Sequence, residues 1–524
     1  MRLGFVDHSQ CAKLRDVETT LRALPGVREV AVVVWEDEKP GKERLTGYVV
    51  LDDDHVDQIS RGAENERRRL QKWRKTYDLT QFGKEAKSSQ PGFDIAGWNS
   101  SYTRNPIPAE EMREWVDITV SEITSFHPAQ ILELGCGTGL LLLRIAPRCE
   151  RYVAIDFAPA VLQKLKKQME ALGGVWNAVT VLERPADNFD GLAENSFDTV
   201  IINSTAQYFP NITYLTRILE NAVRVAKPGG RIFVGDLRNL ALLEPYALSI
   251  ELYQSPPSMS LGELRERVRH RIRFEEQLVI SPAFFLALRQ RLPKISSVEI
   301  RPKRGHFDNE MTRFRYDAIL HLGDGPDKCF EPSWQDWAEQ RLTFELMAGL
   351  LEKQRPDILA LARIPNGRIE RDVEAVARLA DSETSGTVGD FKVLEELEHR
   401  GVDPQKMWTL GEELDYHLDI SWAASRPDGS YDVVFRRGAD SELVRPAMAW
   451  PQAPAVCENL AQYANSPGRA VLREKLIEQL LDYSRRNFPE NMAPADFIAL
   501  DTLPLTSDGS LNVDALPPPH ALPK

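Results

Sequence analysis

Cysteine is scarce in this 524-residue chain: there are five (Cys11, Cys136, Cys149, Cys329 and Cys457), scattered and with no CxxC pair. That pattern argues against both a disulfide framework and a zinc site, so a reducing, cytoplasmic setting is expected. Long apolar runs are missing too. Nothing approaches the ~18 consecutive apolar residues of a membrane span, and MRLGFVDHSQCAKLRD lacks the apolar stretch of a signal peptide. Positive charge is not in excess: the net charge of −13 argues against a nucleic-acid partner, which needs a basic footprint. One local exception is RERVRHRIR, with Arg265, Arg267, Arg269, Arg271 and Arg273. It reads as a solvated helix face or as a dock for an acidic partner. Internal repeats and low-complexity stretches are also lacking.

What is present is an ordinary globular composition, 42% hydrophobic and 27% charged, in a chain long enough for several domains. Residues 17–51 read as helix, strand and strand, with a turn at Lys39-Pro40-Gly41. Residues 52–90 are polar, apart from Leu70 and Trp73, and mark a boundary. From about residue 107 an amphipathic helix (EEMREWVDITVSEITSF) leads into the strands QILELG, YVAID, AVTVLE, TVIINS and RIFVGD, which alternate with helices. Such alternation implies a parallel sheet covered on both faces. VEIRP and YDAILHL, either side of RGHFDNEMTRFR, look like a closing strand pair. Residues 330–445 are mixed, with helices expected around Trp337–Leu351 and Val373–Leu379 and strands at YHLDISWA and YDVVFRR. The tail holds the amphipathic helix AVLREKLIEQLLDYSRRNF and then FIALDTLPLT.

The first strand of the alternating region runs into ELGCGTG, with Gly135, Gly137 and Gly139 where strand turns to helix. Glycine there lets a ligand approach the backbone closely. The spacing is G-x-G-x-G; Leu140 follows, so the dinucleotide fingerprint is not met. Asp156 closes the second strand, where a carboxylate can accept both hydroxyls of a ribose, and Ala186-Asp187 follows the third, where an amide and an acid can read an adenine edge. Glu133 can hold the pocket's backbone or an ammonium group. This order resembles the class I S-adenosylmethionine (SAM)-dependent methyltransferases. The resemblance implies a Rossmann-like seven-stranded α/β sheet, SAM as cofactor and S-adenosyl-L-homocysteine as product. It also adds Cys136, Phe157 and Asn203 to the residues around the cofactor.

GWNSSYT from Gly97, PIPAEEMREW, NSTAQYFP from Asn203, FVGDLRNL, IRFEEQLVISPAFF, NEMTRFRYD and ARIPNGRI resemble the methyltransferase domains embedded in modular polyketide and nonribosomal peptide synthases. The likeness covers about residues 75–445. In that family the domain is inserted in the small C-terminal subdomain of an adenylation domain. Here LPGVREVAVVVWEDEKPGKERLTGYVV and NFPENMAPADFIALDTLPLTSDGSLNVDAL resemble its two halves. The resemblance implies five segments: 1–60 and 451–524 as the split α+β subdomain, 61–125 as linker and lid helices, 126–325 as the methyltransferase core, and 326–450 as an accessory α/β lobe. Ser510 follows Gly509 where adenylation enzymes need a lysine, the loop FVDHSQCAKLRDVE is altered, and the chain contains no large ATP-binding subdomain. The adenylation portion is therefore expected to be vestigial, a scaffold.

A module that loads no amino acid suggests a polyketide host, with O-methylation of a β-hydroxyl on an acyl or peptidyl carrier protein as the leading expectation. N-methylation of a carrier-bound aminoacyl or peptidyl group, C-methylation, an epimerase-like relative and a structural relic remain alternatives. Methyl transfer is mostly a matter of positioning, but an alcohol needs a general base. His306, between the last two strands, is the candidate base, with Glu310 orienting it or raising its pKa. Asn203, Tyr208 and Asp236 lie at strand ends, and Glu275 and Glu276, on an expected helix before SPAFF, offer alternative carboxylates. Trp98, Asn99 and Tyr102 resemble a lid whose aromatic faces can contact a sulfonium. The arginine run is expected near the entrance, facing the carrier or its phosphopantetheine.

Overall fold

Ile131, Leu132 and Leu134 are all fully buried, so the run Gln130–Leu134 is apolar on both faces, as a central strand of a covered sheet must be. The computed structural model describes residues 2–3, 8–36, 43–76, 92–173, 176–323, 330–381, 386–393, 401–438, 448–451, 457–506 and 509–517. The turn expected at Lys39-Pro40-Gly41 lies outside them. Residues 1–66 and 466–524 form one compact unit and residues 67–465 another, so the divisions fall at 66/67 and 465/466.

The smaller unit contains a four-stranded sheet. Val27–Glu36 pairs antiparallel with the short strand Arg2–Leu3 and with Glu43–Leu51, and Asp496–Leu500 joins parallel to Glu43–Leu51. Its core holds Val17 and Leu21 of helix His8–Arg22, Leu480 of helix Arg469–Asn487, and Val30, Val32, Val49 and Phe497 from the strands. Asp496 fixes the pairing by accepting from Arg44 (3.1 Å) and Thr46 (2.8 Å).

The larger unit is built on seven strands: β1 (Gln130–Leu134), β2 (Arg151–Asp156), β3 (Val179–Glu183), β4 (Phe197–Asn203), β5 (Ala226–Arg238), β6 (Ile295–Pro302) and β7 (Arg315–Leu322). Their order is β3-β2-β1-β4-β5-β7-β6, parallel except for β7, which runs antiparallel to both neighbours. The chain steps outward from β1 through β2 to β3, then crosses back to β4. That reversal opens a crevice beyond the carboxyl ends of β1 and β4, where open α/β sheets bind ligands. This is the class I SAM-dependent methyltransferase fold.

A second four-stranded sheet follows, made of β8 (Trp334–Asp336), β9 (Ile358–Ile364), β10 (Tyr416–Ser421) and β11 (Tyr431–Arg437) in the order β8-β9-β11-β10. Sequence periodicity misplaces one helix here. Trp337 is in the turn after β8, its N–H bonded to Ala362, and the helix starts only at Phe344, where the Thr343 side chain caps Leu346. Strand β9 and the helix Pro404–Glu413 are unforeseen, although Asp403 as cap and Pro404 in the first turn signal that helix. Glu275 and Glu276 lie in a loop, because helix Leu261–Arg273 ends before them. The polar stretch after residue 52 holds two helices, Asp53–Arg61 and Ala63–Thr76.

Candidate active site

All three glycines of the turn after β1 have positive φ: Gly135 at 79°, Gly137 at 53° and Gly139 at 86°. They serve different ends. A Cβ on Gly135 would lie 2.3 Å from Thr205 Oγ1, and one on Gly139 would lie 2.4 Å from the Leu165 side chain. Both positions are glycine for packing. A Cβ on Gly137 would meet nothing within 4 Å, so this glycine alone faces open space. Its N–H donates to Asp156 Oδ2 (3.0 Å), while Asp156 Oδ1 accepts the Ala158 N–H (3.0 Å). The carboxylate is thus held by the backbone of two loops.

Glu133 is 3% exposed and accepts the Tyr152 hydroxyl (2.8 Å). Burial pushes its carboxyl up to about 7, the Tyr152 hydrogen bond opposing and the charge of Asp156 adding to the rise.

A cavity of about 480 Å³ opens at this crevice, entirely within the larger unit. Of the expected cofactor residues, Glu133, Gly135, Cys136, Gly137, Asp156, Phe157, Ala186, Asn203 and Trp98 line it. Gly139, Asp187 and Tyr102 do not. Gly139 packs inward, Asp187 faces the Tyr214 hydroxyl, and Tyr102 bonds Ser249 (2.8 Å) and stacks edge-on against Tyr253. Tyr208 lines the cavity and meets Trp73 edge-on at 4.7 Å.

The expected base is displaced. His306 is outside the cavity, its side chain 70% exposed, with Nδ1 2.7 Å from Glu114 Oε1. Glu310 does line the cavity, but it does not orient His306. It accepts from the Ser101 N–H (2.7 Å) and hydroxyl (3.0 Å), with Arg315 3.5 Å away. Glu276 is likewise outside and pairs with Lys72; its neighbour Glu275 takes the inward position. The arginine run also turns mostly inward: Arg267 and Arg271 pair with Glu251, and Arg265 donates to the Leu379 carbonyl. Only Arg271 of the run reaches the cavity wall.

Opposite the glycine turn the wall is charged and interlocked. Arg238 pairs with Glu275 at 2.8 Å and lies over the Tyr246 ring, whose hydroxyl bonds Ser101. Although burial raises the Glu275 carboxyl, the Arg238 guanidinium wins and holds it below the usual carboxylate range. Arg315 pairs with Asp236 at 2.6 Å. Asp236, itself at φ 63°, also accepts from Ser204 (2.7 Å) and Trp115 Nε1 (3.4 Å). Sequence reasoning reached Asp236 and Glu275 but missed Arg238, Arg315, Tyr246 and Ser101.

The residues fit SAM. The open approach at Gly137, two buried acids at neighbouring strand tips, and the paired rings of Trp98 and Trp115 (4.7 Å apart) suit a nucleoside joined to a cation. No group of three or more metal-ligating side chains occurs among the described residues.

Residues 132–232 match the family described as a methyltransferase domain. The chain is 37% identical over 97% of its length to chondramide synthase cmdD of Chondromyces crocatus, covering 13% of that protein. It is 32% identical over 96% of its length to a probable non-canonical nonribosomal peptide synthetase, CymA, of Salinispora arenicola, covering 6% of it. With the beauvericin nonribosomal cyclodepsipeptide synthetase of Beauveria bassiana it shares 28% identity over 98% of its length and 17% of the synthetase. The chain thus spans less than a fifth of each of these relatives, and it carries a SAM-dependent methyltransferase domain.

Proposed function

We propose that the chain methylates the α-amino nitrogen of an aminoacyl group tethered to a carrier protein in a peptide-type assembly line. The observation that carries this is the acceptor wall: among the described residues no histidine lines the cavity, and Arg238 lowers the proton affinity of Glu275, making it a weak base. An alcohol attacks only as its proton is taken; a neutral amine is nucleophilic without that step and releases its proton to solvent after the methyl has moved. The expectation of an oxygen acceptor leaned on an ATP-binding subdomain missing from a chain that spans only 13% of a relative, and the base nominated for it, His306, is outside the cavity and paired with Glu114. Relatives named as peptide synthetases support the nitrogen reading.

When bound, SAM supplies an electrophilic methyl on a positively charged sulfur. Asp156, held by the Gly137 and Ala158 N–H groups, would accept the ribose hydroxyls, and Gly137 would let the ligand lie against the turn. Glu310 would hold the acceptor nitrogen through an N–H bond to Oε2, which has one bond to Ser101 and a lone pair to spare. Arg238 and Arg315 keep both carboxylates of that wall fixed. The smaller unit is read as the remnant of an adenylation-type subdomain, a scaffold in which Ser510 replaces the catalytic lysine.

Aminoacyl and β-hydroxyacyl carrier proteins offered with SAM and weighed intact test the acceptor. A one-methyl gain on the aminoacyl species is expected; a gain on the hydroxyacyl species alone would overturn the reading. His306→Ala should retain turnover.

A further inference from the structure

Arg368 does not line the cavity, yet it is 8% exposed in the loop after β9. Its guanidinium donates to the carbonyls of Lys303 (2.6 Å), Gly305 (2.7 Å) and Thr312 (3.1 Å), and its Nε meets Asp403 at 2.7 Å. The three carbonyls belong to the start and the end of one segment, and Glu310 lies between them. The same segment is gripped again from the second sheet's side, where Gln405 accepts the Gly305 N–H (3.2 Å) and Arg313 donates to the Arg368 carbonyl (3.1 Å). Burying a cation is costly, and burial lowers the guanidinium's pKa despite Asp403. A planar fork with five fixed donors can serve three carbonyls and a carboxylate at once, whereas a lysine has only three donors on one nitrogen.

We infer that Arg368 is a positioning residue, through which the second sheet's lobe sets Glu310 against the methyl acceptor. This rests on the reading of Glu310 as the group that holds the acceptor nitrogen. Gly305 at φ 148° and the Asn309 cap give the segment its bend, but neither ties its two ends together. Arg368 does. The lobe therefore serves the acceptor half of the site, while the glycine turn, Asp156 and Glu133 bond to Asp94, Ala158 and Tyr152.

The test compares Arg368→Met, Arg368→Lys, Glu310→Gln and the Arg368→Met/Glu310→Gln double variant in the full chain. Turnover of the aminoacyl carrier in Arg368→Met should fall by about ten- to a hundredfold, with S-adenosylhomocysteine affinity by calorimetry kept within about twofold. The double variant should be no slower than Glu310→Gln alone, because both changes disable one device. Arg368→Lys should rescue only partly. Losses that multiply, or cofactor affinity that falls with turnover, would reduce Arg368 to general support and overturn the assignment. Should Arg368→Met fail to fold, Gln405→Leu loosens the same segment without stranding a charge, and a smaller loss of the same kind is expected; unchanged turnover would count against the inference. Amide hydrogen exchange separates this from the functional reading. Arg368→Met should speed exchange in 303–312 and leave 133–139 unchanged, whichever acceptor is methylated, and unaltered exchange in 303–312 would refute the clasp.

Discussion

Gly135 and Gly137 are two residues apart in one bend, yet a methyl group on each would have opposite consequences. On Gly135 it collides with Thr205 at 2.3 Å, in a left-handed backbone. Gly135→Ala should therefore lose about 2–4 kcal/mol of stability, the sum of strain and overpacking. Gly137→Ala has room and should lose only about 1 kcal/mol, while S-adenosylhomocysteine affinity drops about tenfold or more; thermal unfolding and calorimetry on the pair would show the split. Glu133 makes a different prediction. Its carboxyl moves from 4.5 to about 7 on folding, so the folded protein keeps a proton that the unfolded chain has released. The stability this confers is complete below the unfolded value and drains away as pH climbs through about 7. Glu133→Gln keeps the Tyr152 hydrogen bond and removes the titration. The melting temperature of wild type relative to this variant should fall between about pH 5 and pH 7.5; a constant offset would show that Glu133 is not the group responsible. The glycines and acids were legible because each occupies a strand tip, a position that alternating periodicity locates. Arg238, ending β5, and Arg315, opening β7, were hidden because their partners Glu275 and Asp236 come from distant parts of the chain.

The helix Leu261–Arg273 shows how an element redistributes a run of like residues. Arginines at every second position cannot share a face on a helix of ~3.6 residues per turn. Arg267 and Arg271, four apart, fall together and meet Glu251, whose side chain is 5% exposed. Arg269 falls elsewhere and pairs with the exposed Glu266. Sequence reasoning saw one basic strip because it counted charge without winding the helix. Replacing Arg267 and Arg271 by alanine strands a buried carboxylate and should cost about 3–5 kcal/mol in urea unfolding, whereas Arg269→Ala should change stability by less than about 1 kcal/mol. Equal effects would mean that Glu251 is not stabilised through this pair. Strand β9 escaped notice for a related reason: ILALARI is short and apolar, and periodicity alone does not distinguish such a run from buried helix.

Across the whole molecule, the two compact units have separate cores. Calorimetry should resolve two unfolding transitions, and S-adenosylhomocysteine should raise only the one that belongs to residues 67–465, by about 2.7 kcal/mol at a hundred times its dissociation constant. A single transition raised as a whole would show that the units unfold together. The split of the smaller unit was legible only through the resemblance of its two flanking segments to the halves of an adenylation-type subdomain. The lobe's part in the site was not, since Arg368 acts only through carbonyls that no sequence pattern marks.

The parallel pairing of Glu43–Leu51 with Asp496–Leu500 has a consequence for synthesis. The earlier strand leaves the ribosome long before its partner is translated, and at ~5–20 residues per second the wait lasts on the order of tens of seconds. Throughout that time Val49 and Leu51, buried once folding is complete, lack the cover that Phe497 and Leu480 later bring. Nascent chains carrying this segment should therefore need a holding chaperone on residues 27–51 until residues 496–500 emerge, and slowing translation between the two should increase aggregation.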